Sequence, residues 1–514
     1  MNTMFLQPTL TNPNVDLMAV LPEMVIAVTG IIVVLYDSFA PRQRHTTGAI
    51  SLVGLALAAF TLISMWGDPP AVSWNGMIAN DGLRLSFTLV FLFVTAMTIL
   101  ISTVWTERED VPVGEYHALL LFATFGMMFM ASGNDLVIMF LGLETLSIAT
   151  YVMAGLRRTD LKSNESAMKY FILGSFASAF LLYGMALIYG ATGTTVVTEI
   201  AARVADPNFP ALLLVGGAML IVGFGFKVAT VPFHVWTPDV YEGAPTPVTA
   251  FMAAGPKAAA FASFIRVFVL GFPLVAGAQA AGYLHDSWIM ALSVMGILTM
   301  TVGNVAAILQ NNVKRMLAYS SIAHAGYALV GFIGAGVART EAARDAAIAA
   351  VAFYMLTYAI TNLGAFAIVT LLGQKNDRRT DFEDFNGIGF RAPALAFALS
   401  LFMLSLFGLP LTAGFMGKVL VFRPALEAGN PLLTTLVVVA VINSAISAYY
   451  YLRLIVVMFF RERTTDWVAP RIPAALTAVL LITVLGVLYF GIFSDGVIER
   501  WSRSASATQS AQVK

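Results

Sequence analysis

Apolar runs of about twenty residues recur from one end of this chain to the other, and they constrain the fold more than any other feature. A helix of that length, rising about 1.5 Å per residue, spans the hydrocarbon of a bilayer. The runs lie near residues 18–37, 47–66, 85–105, 115–132, 135–155, 166–191, 210–232 and 245–272, then 287–308, 316–335, 346–372, 394–422, 432–460 and 473–495. Hydrocarbon offers no partner to a free backbone amide, so each run is predicted to be a helix that closes its own hydrogen bonds. The expectation is an all-α polytopic membrane protein of about 14 transmembrane helices.

Composition supports that reading and excludes several function classes. Only 11% of residues are charged and 59% are hydrophobic, whereas soluble domains carry roughly 25% charged residues. Lys plus Arg and Asp plus Glu are 29 each, so no basic excess points to nucleic acid. There is no cysteine, and therefore no ligand for thiolate-bound Fe–S or zinc. His45, His117, His234, His285 and His324 show no metal-binding spacing, and neither a dinucleotide fingerprint nor a P-loop occurs. Any redox cofactor or nucleotide is expected on another polypeptide, with no metal here. The N-terminal stretch lacks a basic region and a small-residue cleavage site, so no removable signal peptide is predicted.

Basic residues between the runs set the orientation. Connections after odd-numbered runs are richer in them, with Arg108, Arg157, Arg158, Lys162, Lys314 and Arg315 among these. The opposite side has fewer, including Arg84, Arg203, Arg339 and Arg344. The richer side is expected in the cytoplasm and both termini outside. Two stretches also look related. Glu144 in LGLETLSIATY and His324 in LAYSSIAHAGY are each followed two runs later by a Gly/Pro-interrupted run with a lysine: GFGFKVATVPFH with Lys227, and LFGLPLTAGFMGK with Lys418. Five runs per copy make the second copy inverted in the membrane, and paired interrupted helices point to a transport pathway. The predicted organisation is 1–114 (three helices), 115–272 (first repeat), 287–460 (inverted second repeat) and 473–514 (last helix and tail), with discontinuous helices 7 and 12.

Lys227, Lys257, Lys418 and Glu144 stand deep inside runs. An ionised group at mid-bilayer costs at least ~2.5–3.5 kcal/mol, so these groups must face the interior, pair, or touch water. Burial disfavours a charged lysine and a nearby carboxylate favours it. A lysine switched between those environments can take up and release a proton. Glu144 and Lys227 are the expected switched pair, with a static ion pair locking two helices as the alternative. Lys257 follows Gly255 and Pro256 among small residues that leave room for water. Lys418 reads as a second relay lysine or an interfacial anchor, and His324 as a carrier between the two lysines or a packing residue. Asp135 is expected to cap a helix, and Arg266 and Arg453 to snorkel from helix ends.

The stretches GLETLSIATYVMAGL, ESAMKYFILGSFASAFLLYG, KVATVPFHVWTPDVYEGAPTPVTAFMAAGPKAAAF and NVAAILQNNVKRMLAYSSIAHAGY resemble the antiporter-like membrane subunits of respiratory complex I, the bacterial NADH:quinone oxidoreductase. The resemblance runs through nearly the whole chain and is nearest to the family's N-type branch. Lys418 stands where M-type chains carry glutamate, and the chain stops soon after its last run, where L-type chains continue. What the resemblance implies is a proton-translocating subunit of a translocase. Glu144 and Lys227 match the family's pair on helices 5 and 7, Lys257 its central lysine and Lys418 its distal one, with His324 between. NADH, FMN, Fe–S clusters and quinone would lie in other subunits. K- and M-like subunits and the lateral helix of an L-like subunit would be neighbours, in a bacterial inner membrane. A multisubunit cation/proton antiporter and a non-pumping scaffold are the rival readings.

Overall fold

The computed structural model describes residues 15–40, 43–207, 209–274, 279–462 and 471–506. Both chain termini, and with them the predicted side of each, lie outside the described residues. Helices α1 (Leu21–Phe39) and α2 (Arg44–Ser64) come first, followed by a hairpin of β1 (Ala71–Ser73) and β2 (Ile78–Asn80). Then come α3 (Gly82–Glu109), α4 (Val113–Ser132), α5 (Leu136–Ala154), α6 (Leu161–Thr192), α7 (Val197–Arg203), α8 (Pro210–Val228), α9 (Thr237–Gly243) and α10 (Thr246–Phe264). The second half holds α11 (Gln279–Ile308), α12 (Val313–Gly336), α13 (Glu341–Leu372), α14 (Ile388–Arg391), α15 (Pro393–Phe407), α16 (Ala413–Glu427), α17 (Pro431–Phe460), α18 (Ala474–Ile492) and α19 (Asp495–Ser506).

Thirteen of the described helices are long and apolar enough to cross a membrane. One further crossing, the twelfth in chain order, is α15 and α16 together, a helix broken between Phe407 and Ala413. The seventh crossing is interrupted as well: α8 ends at Val228, and helix resumes at Thr237. The expected interruptions of crossings 7 and 12 are therefore present. Pro256 leaves α10 continuous, and the chain then makes a π turn over Ile265–Leu270.

Side-chain size sorts the helices by depth. α10, α12 and α13, rich in Ala, Gly and Ser, are buried along almost their whole length. Small residues let backbones approach closely where the alternative solvent is lipid. Gly126 and Gly142 show how closely, because a Cβ on either would crowd the backbone of the other's helix. Leucine- and valine-rich α18 keeps much of its surface outward. Asp135 caps α5 as expected, accepting from the Val137 amide at 2.7 Å.

Several basic residues lie deeper than their sequence positions suggested. Arg266 does not snorkel. It is buried and grips Asp81 with two bonds of 2.8 and 2.9 Å, and it also donates to the Ala131 carbonyl. Arg84, expected in a connection, is buried against an equally buried Glu23 at 2.7 Å. Glu23 and Asp81 thus join Glu144 as acids inside the bundle. Arg157 and Lys314 are also buried, with Asp377 between them. Arg453 lies against the end of α11, donating to the Gln310 carbonyl at 2.9 Å.

Candidate functional site

The three lysines singled out in the sequence are 5%, 2% and 5% exposed, so all of them point into the bundle. Among the described residues none makes an ion pair. What holds each is a set of dipoles and rings.

Lys227 occupies the last turn of α8, where unpaired carbonyls give the helix end a partial negative charge. Its Nζ donates to Ser147 Oγ at 2.6 Å and lies 5.4 and 5.5 Å from the centres of the Tyr151 and Tyr170 rings. Glu144, one turn before Ser147 on α5, is half-buried and accepts from Ser178 Oγ at 2.5 Å. The pair expected on helices 5 and 7 is therefore near but unpaired, each partner held by its own serine. The chain leaves α8 through Ala229 in left-handed geometry. The Thr230 amide and the Trp236 indole then take the carbonyls of Gly225 and Phe226 at 2.9 and 3.1 Å. Those bonds let a helix stop inside a membrane protein without stranding polar backbone.

Lys418 reaches the same electrostatic position from the other side of its break. It stands on α16 and donates back to the last carbonyls of α15, Leu406 at 3.1 Å and Phe407 at 2.7 Å, and to Ser444 Oγ at 2.7 Å. The Tyr327 ring centre is 4.7 Å away. Gly408, with φ 98°, turns the chain in a conformation that suits glycine, and a Cβ there would touch the Lys418 stem. Lys257, at the middle of α10, donates to the carbonyl and hydroxyl of Ser321 on α12, at 2.5 and 2.6 Å.

His324 is three residues beyond Ser321 and three before Tyr327, so one stripe of α12 connects the two lysine stations. Its Nδ1 contacts the Tyr354 hydroxyl at 2.6 Å and its Nε2 the Tyr451 hydroxyl at 3.3 Å. Tyr451 in turn meets Ser320 at 2.5 Å. The structure brings Lys257, His324 and Lys418 onto this stripe and keeps Glu144 and Lys227 as a separate group on α5, α6 and α8. Sequence reasoning missed Ser147, Ser178, Ser321, Ser444, Tyr354 and Tyr451. Helical spacing signals only some of these: Ser147 follows Glu144, and His324 follows Ser321, by three residues. The others come from helices distant in sequence.

Each station surrounds its lysine with neutral acceptors. Dipoles and rings face each of them, and among the described residues no carboxylate is ion-paired with any of the three. Among the described residues no group of three His, Cys, Asp or Glu is arranged to hold a metal ion.

Comparison with known proteins bears on this arrangement. Residues 133–486 match the family described as NADH:quinone oxidoreductase/Mrp antiporter, TM. NADH-quinone oxidoreductase subunit N of Trichlorobacter lovleyi is 43% identical over 491 residues, covering 95% of this chain and 96% of that protein. A chain of respiratory complex I from Thermus thermophilus superposes with a TM-score of 0.76 at 37% identity, covering 93% of this chain and 98% of its own. A chain of the Mrp complex from Dietzia has a TM-score of 0.82 at 20% identity, covering 97% and 99%, and shares the fold. This chain belongs to the subunit N family of NADH-quinone oxidoreductases.

Proposed function

We propose that this chain is a proton-translocating membrane-arm subunit of NADH:quinone oxidoreductase. The observation that carries the reading is the line of Lys257, Ser321, His324, Tyr327 and Lys418, buried, bonded to neutral partners and ending at a helix break. Quinone reduction elsewhere in the assembly would alter the Glu144–Lys227 arrangement. If Lys227 leaves Ser147 for Glu144, the fixed charge nearest the relay changes, and a proton shifts from Lys257 past His324 to Lys418. Outward release, or transfer to a neighbouring subunit, follows.

The remaining assignments rest on the same reading. Residues 115–272 and 287–460 form the two inverted repeats, flanked by 1–114 and 473–514. The complex is a translocase whose NADH, FMN, Fe–S and quinone chemistry sits on other subunits; this chain offers no cysteine to a cluster. K- and M-like subunits and the lateral helix of an L-like one are its neighbours in the bacterial inner membrane, and both termini face the periplasm. A sodium/proton antiporter would need clustered carboxylate ligands for a hard cation, and the oxygens bonded to these lysines are neutral hydroxyls and carbonyls. A non-pumping scaffold predicts that the lysines are dispensable.

The test is Lys257→Met in the intact complex, reconstituted in proteoliposomes. Lumen acidification should be mostly lost while assembly persists. A fully assembled variant that pumps like the parent would sink the relay.

A further inference from the structure

The relay needs an intake, and the described residues contain one buried lysine that it does not use. Lys314, at the first turn of α12, is 1% exposed by its side chain. Its Nζ donates to the Ala244 carbonyl at 2.7 Å and lies 3.3 Å from Asp377 Oδ2. Arg157 approaches the same carboxylate at 3.1 Å, and Arg108 approaches its other oxygen at 3.2 Å. Beside this group is a solvent-accessible cavity of about 380 Å³, lined by Glu109, Asp110, Glu115, Arg157, Arg158 and Lys375 among others. It reaches bulk water, because the Asp110 and Arg158 side chains are 90% and 81% exposed. A cavity so large and so charged has room for several waters. Arg157 lines this cavity and shares Asp377 with Lys314, which stands seven residues before Ser321, two turns or roughly 10 Å along one face of α12. Ser321 in turn holds the Lys257 ammonium through its hydroxyl and carbonyl.

We propose that this cavity is the proton intake and that Lys314 is its first buried carrier, delivering along α12 to Ser321 and from there to Lys257. The step balances simply. One N–H bond of the Lys314 ammonium breaks and one forms on the Lys257 amine, and the Lys314 amine is reprotonated from the bulk through cavity water. Asp377, tied by its cationic neighbours and the Thr246 amide at 3.1 Å, stays in place as the counter-ion. The inference rests on the proposed function, since an intake has meaning only where protons move.

Lys314→Arg separates this role from that of a structural clamp. Arginine keeps the positive charge and the bond to Asp377, but its guanidinium does not give up a proton in proteins. In the reconstituted complex, with Lys257→Met alongside, Lys314→Arg should assemble and lose proton uptake. Pumping at the parental rate in Lys314→Arg, together with loss in Lys257→Met, overturns the intake and leaves the relay standing. Normal pumping in Lys257→Met overturns both. Should the arginine variant fail to assemble, the absence of native cysteine in this chain supplies a second test. Thr159→Cys, at the cavity wall, is labelled with a bulky impermeant maleimide, and the unsubstituted complex is the control. Slowed pumping supports the intake, and unchanged pumping at full labelling overturns it.

Discussion

Two kinds of buried charge occur in this molecule, and they carry opposite expectations. Arg84 with Glu23, and Arg266 with Asp81, are permanent pairs with both partners inside the bundle. Removing one member strands the other, which costs about 3–5 kcal/mol, whereas removing both is far milder. Arg84→Met should therefore sharply lower the amount of folded chain in the membrane, and Glu23→Gln with Arg84→Met should restore most of it. Quantitative immunoblots of membranes would show this, and equal losses in the single and double variants would refute it. Lys227, Lys257 and Lys418 are the other kind, held by neutral groups. Ser321→Ala removes the hydroxyl from Lys257 and leaves the carbonyl, a loss of about 1 kcal/mol. Pumping by that variant should slow several-fold, less than in Lys257→Met, with assembly intact. Proteoliposome acidification rates would decide it.

At the scale of elements, the breaks decide where lysines go. Gly414 opens α16 with its amide 3.1 Å from Ser405 Oγ, so close that an added Cβ would collide with the Ser405 carbonyl oxygen. Gly414→Ala must push α16 from α15, at a cost of about 1–3 kcal/mol, and carry Lys418 off the Leu406 and Phe407 carbonyls. Lower thermal stability and slower pumping should appear together in that variant; parental values for both would contradict the geometry. The breaks themselves were legible in the sequence, since Gly408, Pro410 and Gly414 interrupt one apolar run and Gly223, Gly225 and Pro232 another. So were the crossings, because hydrocarbon thickness sets their length. Partners were less legible. A buried lysine announces its cost through its neighbours in sequence, but whether serine or glutamate meets it depends on helix rotation. Ser444 reaches Lys418 from α17, and Tyr451, on the same helix, reaches His324. Arg84 and Arg266 were misplaced for a related reason. A residue near the end of an apolar run has the same local sequence whether it turns outward to water or inward to an acid, and here Glu23 and Asp81 turn both inward.

The whole molecule is gathered at one end by Asp377. Its neighbours come from connections far apart in the chain: Arg108 at the end of α3, Arg157 after α5, Thr246 at the start of α10 and Lys314 at the start of α12. Burial alone would raise the Asp377 carboxyl above its ordinary 3.8, but Lys314, Arg157 and Arg108 outweigh burial and hold it below. A carboxyl depressed in the folded state contributes stability that is fully present above its unfolded value, about 3.9, and is lost as pH falls through the lower folded one. Across neutral pH Asp377 should therefore keep its charge, an anion for Arg108 and Arg157 throughout and for Lys314 whenever that lysine holds its proton. Asp377→Asn strands those cations and should cost about 3 kcal/mol or more. The difference in unfolding temperature between parent and Asp377→Asn complexes should stay constant from roughly pH 5 to 8 and shrink only below about pH 4. Thermal unfolding measured across that range checks the sign. A gap that closes near neutral pH would mean that Asp377 itself takes up protons, which would make it a carrier in the intake in place of the fixed counter-ion against which Lys314 works.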